Sequence, residues 1–274
     1  ILAKKIKKNI CIISNVHGND IVPENNKDKK MLKYSIRMLK ISNYVIAPSD
    51  YFRKILIFTY NINPNLIKVI PSGGINTEIF TIGNGHTFFK NNQITFGFVS
   101  RIEINKGWDT YLFMAKEILK YNKNTHFIIV GQGSEMEEMN KTINEYGISQ
   151  YVTHYNFMDQ QTLAKLYQKL DIFCFPTRRQ SESLGLVGLE AMGCGAIVIG
   201  SNKYGPSSYI LDGINGFTCD PNSASDLIET IKLILQYDIE SLYTIQHEAL
   251  KTVKQYDSKV VNLILLDFFR KILT

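Results

Sequence analysis

Short runs rich in β-branched and aromatic residues alternate with longer segments whose apolar residues recur every three or four positions, and this alternation restricts the fold more than any other feature. The runs fall at residues 9–14, 44–47, 67–70, 94–100, 126–130, 151–155, 171–175 and 196–200. Helical spacing occupies 109–121, 135–146 and 161–169. Strands joined through helices must cross over the sheet and run parallel, with helices on both faces. The expected class is therefore α/β. At 274 residues, 45% hydrophobic, the chain has enough apolar material for two domains of ordinary size.

Turn-forming residues gather between positions 71 and 92, where Ser72-Gly-Gly and Ile82-Gly-Asn-Gly-His interrupt the periodicity. This predicts a linker at 81–93, between a first unit at 1–80 and a second at 94–255, with a closing helix at 256–274. The first unit holds only about three strands, few for a doubly wound domain. It is expected to be a domain whose beginning is missing. The closing helix offers an apolar face of Val260, Leu263, Leu266 and Phe269, suited to docking back on the first unit.

The formal charge of +6 comes from 31 basic residues scattered among 25 acids. That distribution argues against nucleic acid as a partner and is compatible with peripheral contact with an anionic membrane face. Cys11, Cys174, Cys194 and Cys219 lie far apart in apolar runs, as reduced thiols do, which points to a reducing, cytoplasmic compartment. No apolar run approaches the roughly 18 to 20 residues needed to span a bilayer.

Candidate chemistry sits where strands end. The run at 171–175 leads into the loop Pro176-Thr-Arg-Arg-Gln-Ser-Glu-Ser and then a helix over 184–192, stopped by Gly193-Cys-Gly. Backbone amides at such a helix start, with the dipole behind them, suit a phosphate. Gly185 would let a ligand approach the backbone closely. Glu182 precedes this helix and Glu190 lies within it, so both carboxylates can reach one cleft and accept hydrogen bonds from sugar hydroxyls. Two surface glutamates flanking an ordinary loop would have the same spacing.

A second cluster, Ser100-Arg-Ile-Glu-Ile-Asn-Lys-Gly107, repeats the pattern of strand end, turn and helix. Arg101 and Lys106 would place fixed positive charge beside a diphosphate leaving group; a solvated basic turn would look alike. No Asp-x-Asp occurs in the chain, which speaks against that way of holding a divalent ion, so no metal or cofactor is expected. Val130-Gly-Gln-Gly133 begins like a dinucleotide fingerprint, but Met136 stands where the third glycine belongs. His17-Gly-Asn-Asp20 is a polar turn after the first strand.

Together these segments resemble the retaining glycosyltransferases of family four, which adopt the GT-B architecture of two Rossmann-like domains facing a cleft. The resemblance rests on Arg101 to Gly107 and on Glu182-Ser-Leu-Gly-Leu-Val-Gly-Leu-Glu190 with its following strand. Val69-Ile-Pro-Ser-Gly-Gly-Ile-Asn-Thr-Glu-Ile-Phe80, Phe127-Ile-Ile-Val-Gly-Gln-Gly133 and Asp212-Gly-Ile-Asn-Gly-Phe217 extend it. It implies a metal-independent enzyme of polysaccharide biosynthesis that moves a sugar from a nucleoside diphosphate to a glycan or lipid-linked hydroxyl, peripheral at the inner membrane face. Arg101, Lys106, Gly185 and Leu186 would then bind the donor diphosphate, Ser183 and Leu184 the sugar, and Glu190 the ribose. Glu182 and His17 would be catalytic, while Phe157, Met158 and Gly131 would lie near the base.

The sequence departs from that pattern in three places. The glycine-rich loop early in the first domain is absent, Leu184 replaces phenylalanine, and Tyr204-Gly-Pro-Ser-Ser208 replaces a glycine pair followed by glutamate. Two other readings fit the same residues: a non-catalytic nucleotide-sugar-binding fragment or partner subunit, and a nucleotide-sugar epimerase.

Overall fold

The computed structural model describes residues 10–83 and 86–273. Residue 9 of the first expected strand, the start of the first unit and Asn84 and Gly85 of the expected linker lie outside them.

The first region builds β1 (Ile13–Asn15), α1 (Asn26–Ile41), β2 (Tyr44–Ala47), α2 (Asp50–Phe58) and β3 (Ile67–Val69). Its sheet is parallel in the order β1-β2-β3, with Ile13 opposite Tyr44 and Val45 opposite Ile67. Asn25 and Ser49 cap the two helices by accepting from Asp28 N and Phe52 N, and so satisfy amides that would otherwise have no partner. Val16, Leu39, Val45, Phe52 and Leu56 form its core.

The second region runs β4 (Ile94–Val99), α3 (Trp108–Ile118), β5 (Thr125–Val130), α4 (Met136–Glu145), β6 (Val152–Tyr155) and α5 (Gln160–Tyr167). It continues through β7 (Ile172–Phe175), α6 (Leu186–Gly193), β8 (Ile197–Ser201), β9 (Phe217–Cys219), α7 (Ala224–Ile234) and α8 (Ile239–Gln255). All six strands pair in parallel, in the order β6-β5-β4-β7-β8-β9. Every residue of β7 and β8 is buried, as expected of central strands covered on both faces. The edge strand β9 goes beyond the runs seen in the sequence. Ile75 and Phe80, which precede the expected linker at 81–93, are already buried in this second core.

The chain passes between the regions twice, side by side. Ile75 N donates to Tyr256 O at 2.9 Å and Ser258 N donates to Ile75 O at 2.8 Å. The closing helix α9 (Ser258–Leu273) then lies on the first sheet, through a face that shares only Phe269 with the expected one. Val261, Leu265, Phe268 and Phe269 pack against Ile46 and Ile70, and Phe268 meets Tyr44 edge-on at 5.5 Å. Val260, Leu263 and Leu266 remain 39%, 64% and 50% exposed. The helix carries two adjacent apolar stripes, and the shape of the sheet, not the periodicity, selects between them.

Candidate functional site

From β4 the chain builds outward through β5 and β6, then returns to lay β7 on the other side of β4. Loops leaving two strands of such a switch point diverge and open a crevice beyond their carboxyl ends. Here those loops are 100–107 and 176–185, the two segments singled out by sequence. Arg178 fastens them together. Its amide donates to Asn105 O at 2.8 Å, and its guanidinium donates to Thr110 Oγ1 at 2.9 Å, to Asp109 Oδ1 at 2.6 Å and to the Ile104 carbonyl.

Helix ends distinguish this crevice from the rest of the molecule. The starts of α1, α2, α5, α7 and α8 are capped by the side chains of Asn25, Ser49, Asp159, Ser223 and Asp238. The starts of α3, α4 and α6, which follow β4, β5 and β7, have no side-chain cap. Of these three, the start of α6 lines a cavity of the crevice, where Gly185, Leu186 and Val187 can offer amides to an anion. At α6 the chain turns on Gly185, whose φ of 86° lies in the left-handed region and whose missing Cβ would sit 2.5 Å from the Phe175 ring.

Three cavities follow one another along the crevice. The first, about 290 Å³, is lined by Ser100, Arg101, Gly131, Phe157, Met158 and Leu163 among others. The second, about 260 Å³, is lined by Ser72, Ser100, Lys106 and residues 182–187, and shares Ser100 with the first. The third, about 420 Å³, joins His17, Asn19, Asp20 and Arg179 to Glu182 and Ser183, which it shares with the second. Most of the expected site residues therefore fall on one trough that runs from an apolar end to a polar one.

Within it, Lys106 Nζ and Glu182 Oε2 are 2.5 Å apart, with side chains only 9% and 16% exposed. Arg101 stands apart from Lys106. Its exposed guanidinium pairs with Glu103 at 3.0 Å, in the cavity of Phe157 and Met158. Glu190 lines none of the three cavities: its Oε2 accepts from the Tyr167 hydroxyl at 3.3 Å. Burial pushes its carboxyl up to about 7, against the lowering effect of that hydroxyl. His17 is exposed, its Nδ1 lies 3.2 Å from Ser72 Oγ, and its amide is held by the Asp20 carboxylate. Among the described residues no three His, Cys, Asp or Glu side chains gather as a metal-binding group, and no helix is long and apolar enough to cross a membrane.

Sequence reasoning did not assign roles to Ser72, Asn19, Glu24 or Arg179. Ser72 was visible only as a turn residue. Arg179 stood beside Arg178 in the loop, and nothing in the sequence distinguished the one that ties two loops from the one that reaches across to the first region.

The profile of the family described as "Glycosyl transferases group 1" matches residues 85–251. A D-inositol 3-phosphate glycosyltransferase of Corynebacterium jeikeium is 27% identical over 72% of this chain and 50% of its own length. An uncharacterized glycosyltransferase of Methanocaldococcus jannaschii is 26% identical over 83% of the chain and 59% of its own length. The chain thus spans about half the length of the curated relatives it matches. Among solved structures, HepE of Anabaena in complex with UDP superposes with a TM-score of 0.84 at 19% identity, covering 98% of this chain and 74% of that one. Sucrose-phosphate synthase of Thermosynechococcus elongatus does so with 0.81 at 19% identity, covering 99% and 71%. These likenesses show the fold, an α/β GT-B arrangement of Rossmann-like units with parallel sheets.

Proposed function

The chain belongs to the glycosyl transferases group 1 family, and from that membership we propose that it moves a sugar from a nucleoside diphosphate donor to a hydroxyl of a glycan or lipid-linked acceptor. We assign it to family four, with retention at the anomeric carbon and no metal requirement. The observation that carries the reading is the trough itself, three linked cavities whose chemistry changes in the order of a nucleotide sugar's parts.

The base would lie against Phe157, Met158 and Gly131. The diphosphate would take Lys106 and the amides of Gly185 and Leu186, with Arg101 turning from Glu103 to assist. Glu190 would accept from the ribose after a small rotation away from Tyr167. The sugar would occupy the polar end beside Ser183 and Leu184, with Glu182 stabilising positive character at the anomeric carbon and His17 facing the ring from the first region. As the leaving group develops charge, Lys106 would shift from Glu182 to the diphosphate and leave the carboxylate to the sugar. Departure of the diphosphate and attack of the acceptor on the same face follow from the retaining assignment. Approach of the two regions would exclude water that could hydrolyse the donor. Anabaena HepE, whose structure holds UDP-glucose, makes UDP-glucose a suitable first donor to try.

The test is calorimetric binding of UDP, GDP, UDP-glucose and GDP-mannose, followed by nucleoside diphosphate release with and without glycan and polyprenyl-linked acceptors, in the presence of excess chelator. Acceptor-dependent release that survives chelation is expected. Binding without release under any acceptor would replace the proposal with a non-catalytic binding role, and conversion of the sugar without an acceptor would replace it with epimerase activity. Release restored only by a divalent ion would overturn the metal-free assignment.

A further inference from the structure

The polar end of the trough is closed on one side by a cluster that crosses from one region to the other. Arg179 Nε donates to Glu24 Oε1 at 2.7 Å and to Ser181 Oγ at 2.8 Å, and its terminal nitrogen donates to Asn19 Oδ1 at 3.2 Å. The Ser181 hydroxyl donates to the same Glu24 oxygen. Asn19 and the Glu24 amide are in turn held by the Asp28 carboxylate at 2.9 Å and 3.1 Å. The Arg179 and Glu24 side chains are 17% and 24% exposed, so this is a shielded pair and not a solvated contact. Burial pushes the Glu24 carboxyl up, but hydrogen bonds from Arg179 and Ser181 and the charges of Arg179 and Lys106 outweigh it and hold the carboxyl below the usual range.

The partners stand on the two segments that carry the residues expected to act on the sugar. Asn19 belongs to the turn of His17, and Ser181 directly precedes Glu182. The backbones there are close enough that a Cβ on Gly18 would lie 3.2 Å from the Ser181 carbonyl oxygen. Arg179 O also accepts from the Glu182 amide at 3.0 Å, so one residue fixes the Glu182 backbone and grips the opposite region. A fork of several donors can hold two acceptors in fixed relative positions, which a lysine ammonium would do less well.

We propose that Arg179 is a positioning residue: with Glu24 it clamps the 17–20 turn against the 181–183 segment, so that His17 and Glu182 face one sugar-sized space. The clamp does not touch the base or diphosphate cavities, so its loss should impair turnover and leave nucleotide affinity in place. The turnover arm of the test rests on the nucleotide-sugar reading above, whereas the exchange arm needs no ligand.

Hydrogen–deuterium exchange on the full chain, for wild type, Arg179→Ala, Arg179→Lys, Glu24→Gln and the double swap E24R/R179E, tests this directly. Arg179→Ala and Glu24→Gln should speed exchange of amides 16–24 at least tenfold, while the amides of β4 and β5 keep their protection. Arg179→Lys should fall between, and the double swap should recover much of the loss. UDP affinity should stay within about twofold of wild type, while UDP release from UDP-glucose with acceptor falls about tenfold in kcat at steady KM. Unchanged exchange in Arg179→Ala and Glu24→Gln would overturn the clamp, as would acceleration spread evenly over both sheets. Wild type that binds no UDP would defeat the nucleotide reading and leave the exchange arm to decide the clamp. Should Arg179→Ala fail to fold, the nearly isosteric Glu24→Gln still decides.

Discussion

The two sheets of this molecule are built from the same unit yet depend on different things. The six-stranded sheet is closed by its own helices, and β7 and β8 have no exposed residue. In the three-stranded sheet no residue of β1 or β3 is fully buried, and α9, which arrives from the far end of the chain, covers Ile46 and Ile70. The larger region can hold its loops in place by its own packing. The smaller one holds His17 in place with help from α9, from the clamp, and from Tyr51, whose hydroxyl donates to Gln180 O at 2.9 Å and whose amide donates to Ser208 Oγ at 3.2 Å. On the proposed function, donor binding and sugar chemistry should be separable, the first resting on one region and the second on both.

Gly131 gives the severest challenge to the self-sufficiency of the larger region. A Cβ there would lie 1.7 Å from the Ser100 carbonyl oxygen, at a φ of 151°. Gly131→Ala should cost about 4 kcal/mol of stability, and loss of UDP binding should accompany it. Equilibrium unfolding in urea checks this, and a wild-type midpoint would show that the two strand ends are not packed as described.

Next comes the separation of binding from chemistry. Glu182→Gln should lower kcat about a hundredfold, roughly 2.7 kcal/mol of barrier, with UDP affinity changed by less than about threefold. Equal loss of both would mean that Glu182 serves binding and that the two regions do not divide the work.

The dependence of the smaller region on α9 can be broken at Phe268. Phe268→Ala removes its contact with Tyr44 and should cost about 2.5 kcal/mol. Hydrogen exchange should show the loss in β1 to β3 and not in β4 to β8; a uniform loss would mean that the two regions unfold as one.

The last expected effect appears only as pH changes. The Glu190 carboxyl sits at about 7 when folded, against 4.5 as its ordinary value, so the native state holds its proton more tightly than the unfolded chain. The penalty is absent below about 4.5, grows as pH rises to about 7 and is constant above that. Wild type should therefore lose about 3 kcal/mol across this window relative to Glu190→Gln. Parallel curves from denaturant titrations at pH 4.5, 6 and 8 would show that Glu190 is not buried as described.

Much of the fold could be read from the residues because β4, β5, β7 and β8 are continuous apolar runs bounded by turn signals. The loops of the candidate site were legible for a related reason: a strand end, a glycine and a helix start leave a local mark in Ser100 to Gly107 and Glu182 to Gly185. Position along the sequence could not show that Arg101 pairs with Glu103 or that Glu190 turns to Tyr167, since each choice depends on which neighbour lies within 3.0 or 3.3 Å after folding. The docking stripe of α9 is not legible for a similar reason: Val260 and Val261 are equally apolar, and only the sheet beneath distinguishes them.

The sequence by itself determined the α/β class, the parallel strands and the segments that bear the candidate site, because propensity, periodicity and turn chemistry act over a few neighbouring residues. Only the tertiary structure decided the strand order β6-β5-β4-β7-β8-β9 that opens the crevice, the three-cavity trough, and the pairing of Arg179 with Glu24, 155 positions away. Such contacts form between groups whose separation along the chain carries no information about their distance in space, so they exist only once packing has brought the two regions together.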